Sequence, residues 1–164
     1  MVGSGFAYLN LITDAYSRKI VGFCLDTTLS AKGTIKALKN AIRDHPTHQG
    51  LIHHSDRGVQ YCSKEYIAVL SANGIRVSMT ERGDPLENAI AERINGILKN
   101  ELLEEEYSSI RKALNAVAQA ISIYNHLRPH SSIGNHTPFN VHSESGKVNY
   151  KKLWKNYYRP LEVD

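Results

Sequence analysis

The stretch that decides the fold consists of residues 51–58, Leu-Ile-His-His-Ser-Asp-Arg-Gly, and residues 84–93, Asp-Pro-Leu-Glu-Asn-Ala-Ile-Ala-Glu-Arg. The first segment is a short β run that delivers Asp56 into a loop containing glycine. The second segment opens a helix and carries Glu92 inside its second turn. Because 35 residues lie between Asp56 and Glu92, the two acids belong to separate elements of secondary structure.

Two acids at the ends of separate elements can converge at the edge of a sheet and hold a divalent ion. Carboxylates and water are the ligands that Mg²⁺ and Mn²⁺ prefer, and two such ions can clamp the attacking and leaving oxygens of a phosphodiester. The alternative is that Asp56 caps a turn with Arg57 and Gly58, and that Glu92 is a solvent-facing helix residue. The spacing alone favours this alternative.

Working outward from these segments, the apolar pattern predicts an α/β fold. Strands are predicted over residues 6–13, 19–26, 51–54 and 75–79. Helices are predicted over residues 31–43, 64–73, 86–105 and 109–126. This order is typical of a mixed sheet with helices on its faces, and the hairpin at its start makes part of the sheet antiparallel. Residues 80–85 are a predicted polar loop, and the chain after Phe139 reads as polar and irregular.

Individual residues mark the ends and the interior of these elements. Ser30 and Ser63 are predicted helix N-caps, and Gly74 is a predicted left-handed helix stop. Tyr124 lies on the apolar stripe of the last long helix and is predicted to be core. His53 and its neighbour alternate along a strand, so one of the two should be buried.

Length and composition favour one globular unit with a tail. A chain of 164 residues with 41% hydrophobic content is long enough for one sizeable core. We assign residues 1–140 to this core and residues 141–164, in which lysines and arginine surround Trp154 and two tyrosines, to a basic-aromatic tail. This tail could track DNA by charge and stacking, or it could be a simple extension. The net charge of +4 and the pI near 9.0 favour a polyanionic partner such as nucleic acid without establishing one.

The cysteines and the apolar segments bear on the cellular location of the protein. Cys24 and Cys62 form neither a disulfide framework nor a zinc spacing, so we expect a reducing cytoplasmic location. No stretch approaches the ~18 apolar residues of a membrane helix. The first residues lack the basic and apolar regions of a secretion signal, so we expect no membrane partner.

Several words of sequence carry a family resemblance. They are residues 54–61 (His-Ser-Asp-Arg-Gly-Val-Gln-Tyr), 88–93 (Asn-Ala-Ile-Ala-Glu-Arg), 98–101 (Leu-Lys-Asn-Glu) and 124–130 (Tyr-Asn-His-Leu-Arg-Pro-His). These words closely resemble the catalytic core of insertion-sequence transposases of the OrfB type, which have a retroviral-integrase-like domain. Residues 14–22 look like that family's second-strand turn, and Thr137-Pro138 looks like its closing motif. The resemblance covers about residues 8–139, with the motifs in the right order.

The resemblance implies a ribonuclease-H-like fold in which three acids, Asp, Asp and Glu, hold two Mg²⁺ or Mn²⁺ ions. Members of this family cut DNA at transposon ends and join the 3′-hydroxyl to target DNA by in-line attack at phosphorus. Asp56 occupies the place of the second acid and Glu92 that of the third, and their interval fits the family pattern. Since transposases work as multimers on paired ends, the resemblance also implies a homodimer or a larger assembly.

The sequence departs from the family at the first acid. That Asp lies on a strand before the hairpin that begins here near Phe6, within a Thr-Asp-Ile-Thr-like word, and residues 1–5 contain no such word. The resemblance therefore implies a sheet without the family's first strand, at most one weak metal site made by Asp56 and Glu92, and impaired catalysis. Asp14 could act as a substitute acid, but a cap of the following turn is the simpler interpretation.

The candidate DNA-binding residues are Lys99, Arg57, Arg128 and His130. Lys99 lies two helical turns beyond Glu92 and, in this family, suits contact with DNA phosphates, which counterion release would favour. Lys99 could equally be solvated, and Arg57 could pair with an acid. Arg128 and His130 could bind DNA or only organise the end of their helix.

Two functions remain open from the sequence. The first is the catalytic core of a transposase, with DNA and a divalent metal as partners and phosphodiester strand transfer as its chemistry. The second is a non-catalytic DNA-binding or assembly fragment of a decayed mobile element. A third, an unrelated ribonuclease-H-like nuclease, is disfavoured by the family-specific words over residues 124–130 and 137–138.

Overall fold

The elements follow the predicted α/β order. The computed structural model describes residues 2, 5–45, 50–56, 58–79 and 89–143. The strands are β1 (Tyr8–Thr13), β2 (Ile20–Asp26), β3 (Ile52–Ser55) and β4 (Arg76–Met79). The helices are α1 (Ala31–Asp44), α2 (Lys64–Ala72), α3 (Ala89–Ile97), α4 (Ile110–His126) and α5 (Pro138–Ser143). A π-helical turn, Leu98–Leu102, extends α3, and a 3₁₀ turn, Ser131–Ile133, precedes α5.

The strands form two separate pairs. β1 and β2 are antiparallel, with Tyr8 opposite Asp26, and β3 and β4 are parallel, with Ile52 opposite Arg76. Both strand orientations of the predicted mixed sheet are therefore present. No ladder joins the two pairs in the part of the chain that the structure describes, which agrees with the prediction of a sheet without the family's first strand.

A cleft of about 960 Å³ lies between the two strand pairs. It is lined by every residue of β1 and of β3, by Val21 alone of β2, and by no residue of β4. The unpaired edges of β1 and β3 therefore face the cleft. Buried backbone N–H and C=O groups need partners, and proteins normally cover such edges. The cleft lies where a strand shared by both pairs would complete one sheet.

The β1–β2 hairpin packs between two layers of helices. One face presents Leu9, Leu11, Phe23 and Leu25 to a buried cluster from α3, the π-helical turn and α4. On the other face, a Cβ added to Gly22 would lie 2.4 Å from the carbonyl oxygen of Ala37, so β2 packs directly on α1. A second cluster joins α1, α2 and the residue before β4; it contains Ile35, Leu38, Tyr66, Leu70 and Ile75.

Two polar side chains of helix α4 form hydrogen bonds with β2 and with the turn before it. The amide oxygen of Asn125 accepts a hydrogen bond from Ile20 N at 3.0 Å, and its amide nitrogen donates to Ile20 O at 3.0 Å. The Tyr124 hydroxyl donates to Arg18 O at 3.1 Å. Tyr124 is fully buried, which confirms that it belongs to the core.

Most predicted helix and strand ends agree with the structure within two residues. The Ser63 hydroxyl accepts from Tyr66 N at 3.3 Å, and Gly74 has φ of +67°, which confirms both predictions. Ser30 is the N-cap residue of α1, although its side chain makes no capping hydrogen bond. Within the described ranges, no helix is both long and apolar enough to cross a bilayer.

Two predictions about helices are wrong. The helix predicted over residues 86–105 changes to π-helical geometry at Leu98 and ends at Leu102. The chain predicted to be irregular after Phe139 continues as α5, which begins at Pro138 after Thr137 accepts a hydrogen bond from Asn140 N at 3.4 Å. The assigned boundary at residue 140 therefore falls within α5. The predicted loop over residues 80–85 and most of the predicted tail, residues 144–164, lie outside the described residues.

Candidate functional site

Asp56 follows β3 directly and lines the cleft. Its Oδ1 accepts a hydrogen bond from Gly58 N at 2.9 Å, so the residue caps its own turn as the alternative interpretation proposed. A carboxylate has about four lone-pair sites on two oxygens, so a cap on Oδ1 leaves Oδ2 able to bind a cation. Arg57, a predicted DNA-binding residue, lies outside the described residues.

Helix α3 faces the same cleft with Ile90, Ala91 and Asn95. Glu92 follows Ala91 on the helix and is exposed, but it is not itself part of the cleft lining. The structure thus brings Asp56 and one side of α3 to a shared cleft and leaves Glu92 outside the lining of that cleft. Among the described residues, no group of three or more His, Cys, Asp or Glu side chains could hold a metal ion.

The donor chemistry around Asp56 suits a hard cation. Asp56 and Glu92 offer carboxylate oxygens, and Asn95 offers an amide oxygen on the cleft side of α3. Mg²⁺ is commonly held by one or two carboxylates together with several waters. These donor types are the ones that Mg²⁺ and Mn²⁺ take in proteins, and the single weak site at Asp56 and Glu92 stays a prediction.

Gln60 and Tyr61 also line the cleft near Asp56, and the sequence analysis gave neither a role. Burial, followed by the charge of Asp56, raises the pKa of Tyr61. Its hydroxyl therefore stays protonated at neutral pH and can donate a hydrogen bond. Both residues belong to the word at residues 54–61, so their position in that word was the available signal.

The two neighbouring histidines of β3 differ as the strand alternation predicted. His53 Nε2 lies 3.0 Å from the Tyr66 hydroxyl, and burial, followed by the neighbouring His54, lowers the pKa of His53 to about 4. His53 is therefore a neutral, hydrogen-bonded residue that is half-buried beside the cleft, and His54 is the more exposed of the two. His54 is exposed, and its Nδ1 lies 3.1 Å from Ser78 Oγ.

The basic candidates occupy different environments. Lys99 is exposed on the π-helical turn. Arg128 Nη2 donates to both oxygens of Glu101, at 2.8 and 2.6 Å. The His130 ring packs edge-on against Tyr124 at 4.8 Å, and burial, followed by nearby arginines, lowers its pKa to about 4. This geometry favours the interpretation that Arg128 and His130 organise the end of their helix. Their contact with DNA stays a prediction.

Asp14 caps the turn between β1 and β2, as the simpler interpretation predicted. Its oxygens accept from Tyr16 N at 3.0 Å, Ser17 N at 3.3 Å and Ser17 Oγ at 2.6 Å. Oδ2 also lies 3.1 Å from Nδ1 of His142 on α5. Sequence reasoning missed this long-range contact because it placed His142 beyond the globular core.

The chain is similar to a family of known proteins. Two family models, each described as an integrase core domain, match residues 1–85 and residues 73–138. The uncharacterized 31 kDa protein of insertion element IS600 from Shigella sonnei is 38% identical over 136 residues, which cover 82% of this chain and 50% of that protein. A putative transposase for insertion sequence element IS986/IS6110 from Mycobacterium tuberculosis is 34% identical over 142 residues, with 82% and 51% coverage. The chain spans about half the length of these relatives.

A solved structure shares the fold. The HTLV-2 integrase catalytic core domain, determined in complex with magnesium in a trimeric form, aligns with a TM-score of 0.61 at 22% identity. The alignment covers 86% of this chain and 93% of that domain. At this identity the likeness concerns the fold, and it confirms the predicted ribonuclease-H-like architecture.

Proposed function

Because the chain belongs to the integrase core domain family and resembles insertion-sequence transposases, we propose that it supplies part of the catalytic core of a transposase. The proposed activity of such a core is to bind transposon ends and target DNA and to perform metal-dependent phosphodiester cleavage and strand transfer. We further propose that the 164 residues alone do not complete this reaction. The observation that carries the proposal is the cleft that Asp56 and helix α3 share.

Asp56 and Glu92 are the proposed metal ligands. When bound there, Mg²⁺ or Mn²⁺ would stabilise the charge that develops on the phosphate oxygens during in-line attack. Asp56 is oriented by its hydrogen bond from Gly58 N, so its side chain is fixed before a cation arrives. Glu92 is exposed on α3, so it must swing toward the cleft to share the same ion.

Lys99 and Arg57 are the proposed contacts to the DNA backbone. Lys99 is exposed on the π-helical turn that follows the helix of Glu92, two helical turns beyond that acid along the chain. A lysine at this place would hold a phosphate by charge without reading sequence. Arg128 and His130 are weaker candidates, because Glu101 balances the charge of Arg128 and His130 is neutral at pH 7.

Asp14 lines the same cleft as Asp56, but its carboxylate caps the β1–β2 turn and contacts His142, and no group of three metal ligands forms among the described residues. The cleft between β1 and β3 accepts an extended segment, because both flanking strands present unpaired edges to it. We infer that a segment of the longer protein or of a second subunit brings the missing carboxylate there. The proposed assembly is accordingly a homodimer or a larger multimer on DNA.

The second candidate function is DNA binding or assembly without catalysis. It is favoured by the exposed position of Glu92 outside the cleft lining, which leaves Asp56 as the one carboxylate of the proposed pair inside it. Under this reading the chain binds DNA through its basic residues and contributes no ligand set that supports cleavage.

The test is a calorimetric titration with Mn²⁺ of the wild-type chain and of the variants Asp56→Asn and Glu92→Gln. The matched control is Glu65→Gln, which changes an exposed glutamate of α2. Nicking of a short DNA duplex is measured in parallel. We expect weak binding that is lost in both site variants and kept in the control, with no nicking by any of the chains.

Two results would change the conclusion. Nicking by the wild-type chain that depends on Asp56 and Glu92 would show that another residue supplies the third acid, and the proposed impairment would be wrong. Binding of DNA with no Mn²⁺ binding that depends on the two acids would favour the non-catalytic function.

A further inference from the structure

A second group of polar side chains lies at the opposite end of β1 from the start of the hairpin. Asp14 Oδ2 lies 3.1 Å from His142 Nδ1, and Ser17 Oγ lies 3.2 Å from the same nitrogen. The other ring nitrogen of His142, Nε2, lies 3.4 Å from Nδ1 of His45, the residue that follows α1. Three distant parts of the chain therefore meet at two imidazole rings.

The spacing of the two facing nitrogens matches a metal ligand pair. Two nitrogens that bind one tetrahedral zinc ion at about 2.0–2.1 Å lie about 3.3–3.4 Å from each other. The two rings of His45 and His142 are 5.0 Å apart between centroids and nearly perpendicular, at 84°, so they do not stack. In the absence of a metal ion the same two nitrogens form a long hydrogen bond of 3.4 Å, which a bound ion would replace.

The group behind His142 is the kind that supports a metal-binding histidine. Such histidines commonly donate their second ring N–H to a carboxylate, which fixes the tautomer and the ring orientation. Asp14 stands at this place, and its carboxylate is itself held by Tyr16 N, Ser17 N and Ser17 Oγ. A proton on Nδ1 of His142, donated to Asp14, leaves the lone pair of Nε2 directed toward His45.

The charges and the access also suit a divalent cation. Asp14, Asp44, His45 and His142 all line the same cleft, so water can complete the coordination shell. The carboxylate charges of Asp14 and Asp44 act on His45 together with the opposing charge of Lys19.

We propose that His45 Nδ1 and His142 Nε2 bind one transition-metal ion of the Zn²⁺, Co²⁺ or Ni²⁺ class, with Asp14 orienting His142 and water filling the remaining positions. Imidazole ligands select these ions over Mg²⁺ and Mn²⁺. The ion joins α5 to the end of α1 and to the β1–β2 turn. This site is separate from the carboxylates of Asp56 and Glu92 and does not rest on the proposed function.

The experiment is a titration of the full chain with Co²⁺, followed by its visible spectrum, and with Zn²⁺, followed by Tm. His45→Asn and His142→Asn remove one ligand each, and His126→Asn is the matched control, an exposed histidine at the end of α4. We expect a tetrahedral Co²⁺ spectrum and a rise in Tm with Zn²⁺ for wild type and the control, and neither for the two ligand variants. Asp14→Asn should bind about tenfold or more weakly, as expected for loss of the orienting carboxylate.

A measurement on the wild-type chain keeps the proposal falsifiable if a variant fails to fold. Substoichiometric Co²⁺ should broaden and shift the ring NMR signals of His45 and His142 before those of the other histidines. The proposal is overturned if His53, His54 or His126 responds first, if all histidines respond alike, or if no binding occurs. Unchanged Co²⁺ binding in Asp56→Asn and Glu92→Gln is the expected result, and its loss there would assign the ion to the carboxylates instead.

Discussion

At the scale of single residues, Asn125 replaces a neighbouring strand. Its side-chain amide pairs with both the N–H and the C=O of Ile20, at a buried edge of β2. Asn125→Ala leaves both backbone groups without these partners, and each unsatisfied buried group costs about 1–3 kcal/mol. We expect a loss of about 2–4 kcal/mol in the free energy of unfolding by urea denaturation. Asn140→Ala, at an exposed position of α5, should change it by less than about 0.5 kcal/mol.

His53 and His130 should make stability depend on pH. Burial lowers the pKa of each ring from about 6.5 to about 4 in the folded chain. Between these values the unfolded chain binds protons that the folded chain does not, so stability is fully present above pH 6.5 and falls as the pH drops toward 4. Urea midpoints measured from pH 7 to pH 4 should decrease. In NMR titrations the two rings should start to protonate only near pH 4, and titration near 6.5 would contradict this.

The sequence could identify residues whose role depends on local chemistry. Gly74 and Ser63 act through their own backbone and the next turn, so the pattern around them was sufficient. Asn125 and His142 act on residues 105 and 128 positions away along the chain, at Ile20 and Asp14. No local pattern predicts such a partner, so these roles required the structure.

At the scale of elements, the contact between β2 and α1 depends on the absence of a side chain at Gly22. A Cβ there would lie 2.7 Å from Ala41 Cβ as well as against the backbone of α1. Gly22→Ala must push the helix from the strand, and overpacking typically costs about 1–3 kcal/mol. Gly96→Ala is the matched control, because a Cβ at this position of α3 meets nothing within 4 Å. That change should stabilise the helix by about 0.5–1 kcal/mol in the same urea experiment.

Two basic residues at the π-helical turn after α3 lie in different environments. Lys99 is exposed on this turn, whereas Arg128 contacts Glu101 of the same turn. If Lys99 binds a phosphate, Lys99→Ala should weaken binding of a DNA duplex and lower the slope of log K against log salt by about 1. Glu101→Gln should leave the slope unchanged or raise it, because it releases the charge of Arg128. An unchanged slope in Lys99→Ala would exclude the proposed contact.

Helices and strands with strong periodicity were predictable, and their departures have physical causes. The apolar stripe of α4 buries Val117, Ile121 and Tyr124. Its helical period in the sequence was sufficient to predict this helix. The chain changes to π-helical geometry at Leu98, and Glu101 of this turn pairs with the distant Arg128. The apolar pattern of residues 86–105 continues through that change and so could not indicate it.

At the scale of the whole molecule, the fold class followed from the order of the elements, but the pairing of the strands did not. Each strand pattern specifies which face is buried and leaves the neighbour unspecified. The resemblance predicted a sheet without its first strand, and the structure places the unpaired edges of β1 and β3 on opposite walls of a cleft. The proposed route for a third acid depends on these two edges being open to a further strand.

Backbone hydrogen exchange can test whether these edges are open. Amides of β1 that point toward β2 are paired, whereas those that point into the cleft face no described strand, so we expect fast and slow exchange to alternate along Tyr8–Thr13. The amides of Ile52–Ser55 that point away from β4 should also exchange fast. The internal standard is β2, where the amide of Ile20 is held by Asn125 and should exchange slowly. A segment that binds in the cleft would slow the fast amides of β1 and β3 together and leave Ile20 unchanged. Uniformly slow exchange in the isolated chain would mean that the edges are already covered, and the inferred route for the third acid would then be wrong.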